Sequence, residues 1–146
     1  MDAEGPEVGL HIRNIANRLN RAPGIKVVLY REEDGSCPFL TWFDELAAKV
    51  RDKCYVRLER LEELGHELRR PEGDFLRDGI YELRVSFRGI HHRVLYFFHG
   101  GVAAVVSHGL VKERMVPSKE IDHAIERKRR FETNPSRHTY REDPSG

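Results

Sequence analysis

The sequence predicts an α/β domain of the α+β type: a small, twisted, mainly antiparallel sheet with a helical hairpin on one face, followed by a C-terminal helix. Three observations predict it. Residues 81–112, YELRVSFRGIHHRVLYFFHGGVAAVVSHGLVK, read as three short strands rich in Val, Phe, Tyr and Leu, with glycine at each boundary. From 38 to 64, apolar residues recur three or four apart, which is helical spacing. Residues after Pro117 repeat that spacing over a shorter run. At 146 residues the chain is long enough for one domain with a real core.

In chain order, residues 1–24 form an N-terminal extension. Val8, Leu10, Ile12, Ile15, Ala16 and Leu19 suit a short amphipathic helix ended by Pro23-Gly24; a poorly ordered tail is the other reading. Residues 25–131 make the domain proper. IKVVLY at 25–30 is a strand with a nearly continuous apolar run, hence one buried on both faces. Residues 31–36 are a polar turn. The helical run places Phe39, Phe43, Leu46, Val50, Cys54, Leu58 and Leu61 on one stripe. It is long for a globular helix, so a break into two antiparallel helices near 47–49 is expected, with Gly65 as the stop. Residues 66–79 read as a polar loop. Pro117 opens the last helix, whose inner face is Ile121, Ala124, Ile125 and Phe131. Residues 132–146, with Pro135, Pro144 and few apolar groups, read as a disordered tail.

Charge is unevenly spread. The formal net charge is +1, but residues 1–83 carry a net −4 and residues 84–130 a net +6. The basic excess lies on the strands and the last helix, which favours a surface facing a polyanion. Cys54 falls on a helical stripe, so a core thiol is expected rather than a disulfide framework. No apolar run is long enough for a membrane span and no signal-peptide segment opens the chain, so a reducing cytoplasm is the expected setting.

Register suggests a site. With two-residue turns at Arg88-Gly89 and Gly100-Gly101, Arg84 lies opposite Arg93 and Arg93 opposite His108, a transverse row on one face. The other face carries Leu83, Val85, Val94 and Tyr96, an apolar set suited to a core. Like charges directly opposite are destabilising. Either each arginine is solvated with its own carboxylate (Glu82 shares the face), or the pair binds an anion such as phosphate. A one-residue shift in either turn breaks the row.

The order strand, helical hairpin, ELR strand, G-x-x-x-R-V-L-Y-F strand, then VVSHGLVK and P-S-K-E-I-x-x-A resembles the RelE/HigB toxin superfamily, closest to the phage-derived, HigB-like branch of type II toxin–antitoxin systems. The resemblance covers residues 25–130 and is most specific over 81–124. It implies a RelE-like fold with helices on one face of the sheet and a basic cleft on the other. It also implies a metal-independent endoribonuclease that cuts mRNA, usually on the ribosome, without a cofactor. An antitoxin, commonly a helix-turn-helix protein, would restrain it. Arg84, Arg93, His108 and Lys112 match the family's basic and imidazole-bearing positions. Leu110 stands where the family has an aromatic, and Glu113 follows Lys112 where a second lysine is common.

The implied reaction is attack of a ribose 2′-hydroxyl on the adjacent phosphorus. His108 would move the proton. Arg84 and Arg93 would clamp the phosphate, one such donor being worth roughly 3 kcal/mol, and Lys112 would meet a neighbouring oxygen. Arg88, His91, His92 and Arg114, with the cluster Arg127, Lys128, Arg129 and Arg130, are candidates for contact with the RNA backbone; the cluster equally suits a helix C-terminus. His91-His92 with His99 or His108 lack a carboxylate or thiolate at ligand spacing, so no metal is expected. Tyr96 is expected in the core. Two rival readings stand beside the nuclease: a catalytically silent toxin-like module that binds an antitoxin, and an RNA-binding protein that does not cleave.

Overall fold

The computed structural model describes residues 24–112 and 114–142. The helix or tail expected before Gly24 lies outside them. Strand β1 (Lys26–Leu29) is followed by α1 (Pro38–Phe43) and α2 (Ala48–Leu64), and then by a 3-10 turn at Gly65–Glu67. Next come β2 (Gly73–Arg77), β3 (Ile80–Phe87), β4 (Ile90–His99), β5 (Ala103–Val111) and α3 (Ser118–Thr133). One five-stranded sheet has the order β1-β5-β4-β3-β2, with β1 parallel to β5 and the remaining neighbours antiparallel. The fold is of the predicted α+β type.

Local chemistry explains most boundaries. Pro38 begins α1, where its missing N–H loses nothing. The helical run breaks at residues 44–47, slightly earlier than its periodicity suggests, and Gly65 ends α2 at φ +54°. Arg88-Gly89 form a two-residue turn with both φ angles positive, so Phe87 pairs with Ile90 as predicted.

Residues 66–79 are not all loop. Asp78-Gly79 make a second turn of the same kind, pairing Arg77 with Ile80, and the edge strand β2 precedes it. The Asp-Gly pair before IYEL was the available signal; the charged, glycine-flanked strand hid it.

Alternation divides the sheet into two faces. Leu83, Val85, Val94 and Tyr96 join Val27, Leu29, Ala104 and Val106 in a core against α1 and α2. Val28, Tyr30, Ile80, Leu95, Phe97 and Val105 face the other way and pack under Ile121, Ala124 and Phe131 of α3. β1 is therefore buried on both faces, as its sequence predicts. The second face is not a free cleft along its whole length: α3 roofs the end holding Ile80, Phe97 and Val105.

The chain after α3 is ordered through residue 140, in contrast to the tail expected there. Tyr140 N–H donates to the Leu29 carbonyl at 2.8 Å and Arg31 N–H to that of His138 at 2.8 Å. The buried His138 ring stacks on Tyr30 with centroids 5.2 Å apart. Composition misjudged this stretch because a single buried imidazole and backbone pairing along β1 hold it.

Candidate functional site

Arg84 and Arg93 lie directly opposite each other on β3 and β4, as register arithmetic predicts. The repulsion is relieved by Glu82, 3% exposed, on the same face. Arg84 Nε donates to Glu82 Oε2 at 2.8 Å, and Arg93 Nε stands 3.6 Å from Oε1. Asp74 on β2 adds a second carboxylate, 3.6 Å from Arg84 Nη2. The two arginines are not alike. Arg84 keeps a third of its side chain exposed, whereas Arg93 is buried and donates through Nη2 to the Arg114 carbonyl at 3.0 Å. Arg93 thus ties down the segment between β5 and α3, which carries the exposed Lys112 and Arg114.

His108 does not complete the row. Arg93 pairs with Leu110, and His108 pairs with Leu95. The β4–β5 loop holds three residues, since His99 pairs with Ala103, and a bulge follows in which Ser107 is the extra residue. Two successive one-residue shifts restore the face and displace the position. His108 therefore sits diagonally from Arg93, near the edge of the α3 roof.

There the imidazole is enclosed, 9% exposed. Arg127 Nη1 donates to Nδ1 at 3.0 Å, with Ser107 Oγ 2.8 Å from the same nitrogen, and Nε2–H donates to Glu120 Oε1 at 2.9 Å. An arginine donor at Nδ1 fixes the neutral, Nε2-protonated tautomer. Burial lowers the His108 pKa from its ordinary value, and the Arg127 charge lowers it further against the opposing pull of Glu120. Neither Glu120 nor Arg127 could be paired with His108 from sequence, because they reach it across the sheet–helix interface.

His91 is better exposed. It pairs with Ser86 two rungs beyond the arginines, hence on their face, and its Nδ1 lies 2.8 Å from Ser86 Oγ. Nε2 has no partner among the described residues. His92 points to the opposite face, buried edge-on to Trp42 at 6.1 Å, so it does not reach the basic surface. Burial, and secondarily the neighbouring His91, lower its pKa. Arg88 lies at the hairpin tip over the Phe87 ring, 5.1 Å from its centroid.

The cluster on α3 is largely paired within the protein. Arg127 turns inward, donating through Nε to Glu32 Oε2 at 3.0 Å as well as to His108. Lys128 meets Glu132 at 2.7 Å, Arg129 meets Glu126 at 3.4 Å, and Arg130 bridges Glu32 and Glu126. These pairs are the helix-terminal and surface arrangement that the sequence allowed as the alternative. Exposed Arg70 stands beside the pair, sharing Asp74 Oδ2 with Arg84, and Arg88, Lys112 and Arg114 are exposed at the β3–β4 turn and after β5.

A pH dependence follows. Burial lowers the pKa values of His92 and His108 in the fold, while in the unfolded chain they titrate near about 6.5. Below that value the unfolded state takes up protons the folded state refuses, so stability falls as pH falls, by up to about 1.4 kcal/mol per pH unit for each group. Urea unfolding midpoints should drop between pH 7.5 and 5.5, and His92→Gln should flatten the profile. A wild-type midpoint constant over that range would refute the assignment.

A family model described as phage-derived protein Gp49-like (DUF891) matches residues 41–129, more than half of the chain. No curated protein matches it.

Proposed function

The chain belongs to the phage-derived Gp49-like family, and on that premise we propose that it is a toxin of the RelE/HigB type, an endoribonuclease that cleaves mRNA without a metal. Its setting would be the cytoplasm, with the ribosome presenting the substrate and a helix-turn-helix antitoxin as its restraint. The observation that carries the reading is the Arg84–Arg93 pair on the part of the second face left open by α3, with the half-buried His91 imidazole two rungs away on the same face.

In this reading Arg84 clamps the scissile phosphate, and the exposed Lys112 neutralises a neighbouring oxygen. Arg93 acts through the loop it holds. Proton transfer falls to His91, whose Nδ1 is occupied by Ser86 and whose Nε2 can reach a 2′-hydroxyl. His108 orients the sheet against α3 rather than touching substrate.

A second reading, the catalytically silent module that binds an antitoxin, draws on one observation. Glu82 occupies the space between the arginines, so an incoming phosphate must compete with a buried carboxylate.

One experiment separates them. Wild type, Arg84→Ala, His91→Ala and His108→Gln are expressed in cells lacking any partner gene, and new mRNA 5′ ends are mapped. The nuclease reading expects growth arrest and new 5′-hydroxyl ends. Those ends should fall on the order of 100-fold or more in Arg84→Ala and His91→Ala, but only modestly in folded His108→Gln. Loss confined to His108→Gln would return the proton to that residue. A folded wild type that leaves growth and mRNA unchanged would establish the silent module.

A further inference from the structure

At the open edge of the sheet lies a cavity of about 320 Å3, lined by His66, Leu68, Arg69, Asp74, Phe75 and Tyr81. We propose that it is a subsite for one unpaired purine base, guanine above all, of an RNA whose backbone passes Arg84.

The walls have the chemistry for it. Phe75, on edge strand β2, is 52% exposed although it is a large aromatic, and its ring meets Tyr81 edge-on at 5.2 Å. Tyr81 in turn stacks on buried Tyr96 at 5.4 Å, and the exposed His66 ring stacks on Phe98 at 3.7 Å. The cavity is therefore bounded by aromatic rings whose own backing is rigid. Such rings present π-faces to a base at little entropic cost, and sequence-tolerant stacking of this kind is common in single-strand recognition.

Selection among bases comes from Arg69. Its Nη1 is fixed by the carbonyls of His66 at 2.6 Å and Leu68 at 3.1 Å. Its other N–H groups have no partner among the described residues, and a guanidinium fork matches the adjacent O6 and N7 acceptors of guanine. Asp74 does not repel a nucleotide here, since its carboxylate already receives Phe75 N–H at 2.9 Å and Arg70 Nε at 2.8 Å.

Phe75 and Tyr81 lie on the face of the sheet that packs on α1 and α2, opposite to Arg84, and Asp74 links the two at the β2 edge, its Oδ2 3.6 Å from Arg84 Nη2, so the RNA would pass over that edge. The subsite's place along the RNA rests on the ribonuclease reading; its affinity for a base does not.

The test uses the full chain and two nucleosides, guanosine and cytidine, which lack phosphate and report the base alone. Saturation-transfer NMR should show guanosine, and cytidine far less, contacting the Phe75 and Tyr81 rings. Phe75→Ala should weaken guanosine binding about tenfold, while Phe75→Tyr retains it. Phe75 is exposed, so these variants should fold, and unchanged unfolding midpoints would verify it. In the mapped mRNA ends, Phe75→Ala should erase a purine preference beside the cut. Guanosine binding without any Arg84-dependent cleavage would sustain the subsite and sink the nuclease. Arg84-dependent cleavage with no guanosine contact would sustain the nuclease and overturn the subsite. Loss of antitoxin affinity in Phe75→Ala, with guanosine never bound, would overturn it in favour of a peptide-binding cavity.

Discussion

Glu82→Ala should destabilise the protein by about 3–5 kcal/mol, the range for removing one partner of a buried ion pair, and lower Tm by roughly 10 °C. The loss comes mainly from Arg93. That side chain is 10% exposed, and among the described residues its Nε has no hydrogen-bond partner, the Glu82 carboxylate standing 3.6 Å away as its compensating charge. Arg84, a third exposed, can recover water and contributes little. Denaturant unfolding of Glu82→Ala, Arg93→Met and the double variant gives the coupling directly. The double variant should be more stable than Glu82→Ala alone, because it no longer buries an uncompensated charge. If Glu82→Ala unfolds within 1 kcal/mol of wild type, the carboxylate is not what permits two arginines to face each other. In a folded, less drastic variant such as Glu82→Gln, RNA affinity should rise, since the competitor for phosphate has lost its charge.

Gly109→Ala is the second large effect. Gly109 lies within β5, opposite Val94, where a side chain would normally be favoured. A Cβ there would run into the ring of Trp42 on α1, so glycine is required for close approach. Either the ring leaves its seat against β5 and His92 or the helix shifts, and overpacking of this kind costs typically 1–3 kcal/mol. Trp42 is the only tryptophan in the chain, so its emission reports the event. Gly109→Ala should unfold about 3 kcal/mol earlier with red-shifted native fluorescence, and adding Trp42→Ala should make the second change nearly neutral. Unchanged emission and stability would mean that the helix does not press on the sheet there.

The two effects differ in how far they were legible. The glycine is visible in the sequence as an interruption of VVSHGLV, but nothing in the sequence names Trp42, which lies 67 residues earlier, as the group above it. The carboxylate was visible, since alternation puts Glu82 on the face of Arg84 and Arg93. That one Glu serves both arginines, and that only Arg84 stays accessible, required the packed structure.

The sequence by itself determined what depends on short period and local turn chemistry. It determined the three hairpin strands, the Arg84–Arg93 pairing through the Arg88-Gly89 turn, the core face of Leu83, Val85, Val94 and Tyr96, and the inner faces of the helices. A period of two or of 3.6 is written residue by residue, so no distant contact is needed to read it. Tertiary structure decided the rest. It set the three-residue β4–β5 loop and the Ser107 bulge that move His108 off the row, and it brought Glu120 and Arg127 of α3 onto its two ring nitrogens. It also laid the last segment along β1, put Asp74 beside Arg84 and opened the aromatic cavity at the β2 edge. These features join residues far apart in the chain, and their geometry is fixed only when the sheet twists, the helices pack and the buried charges find partners together.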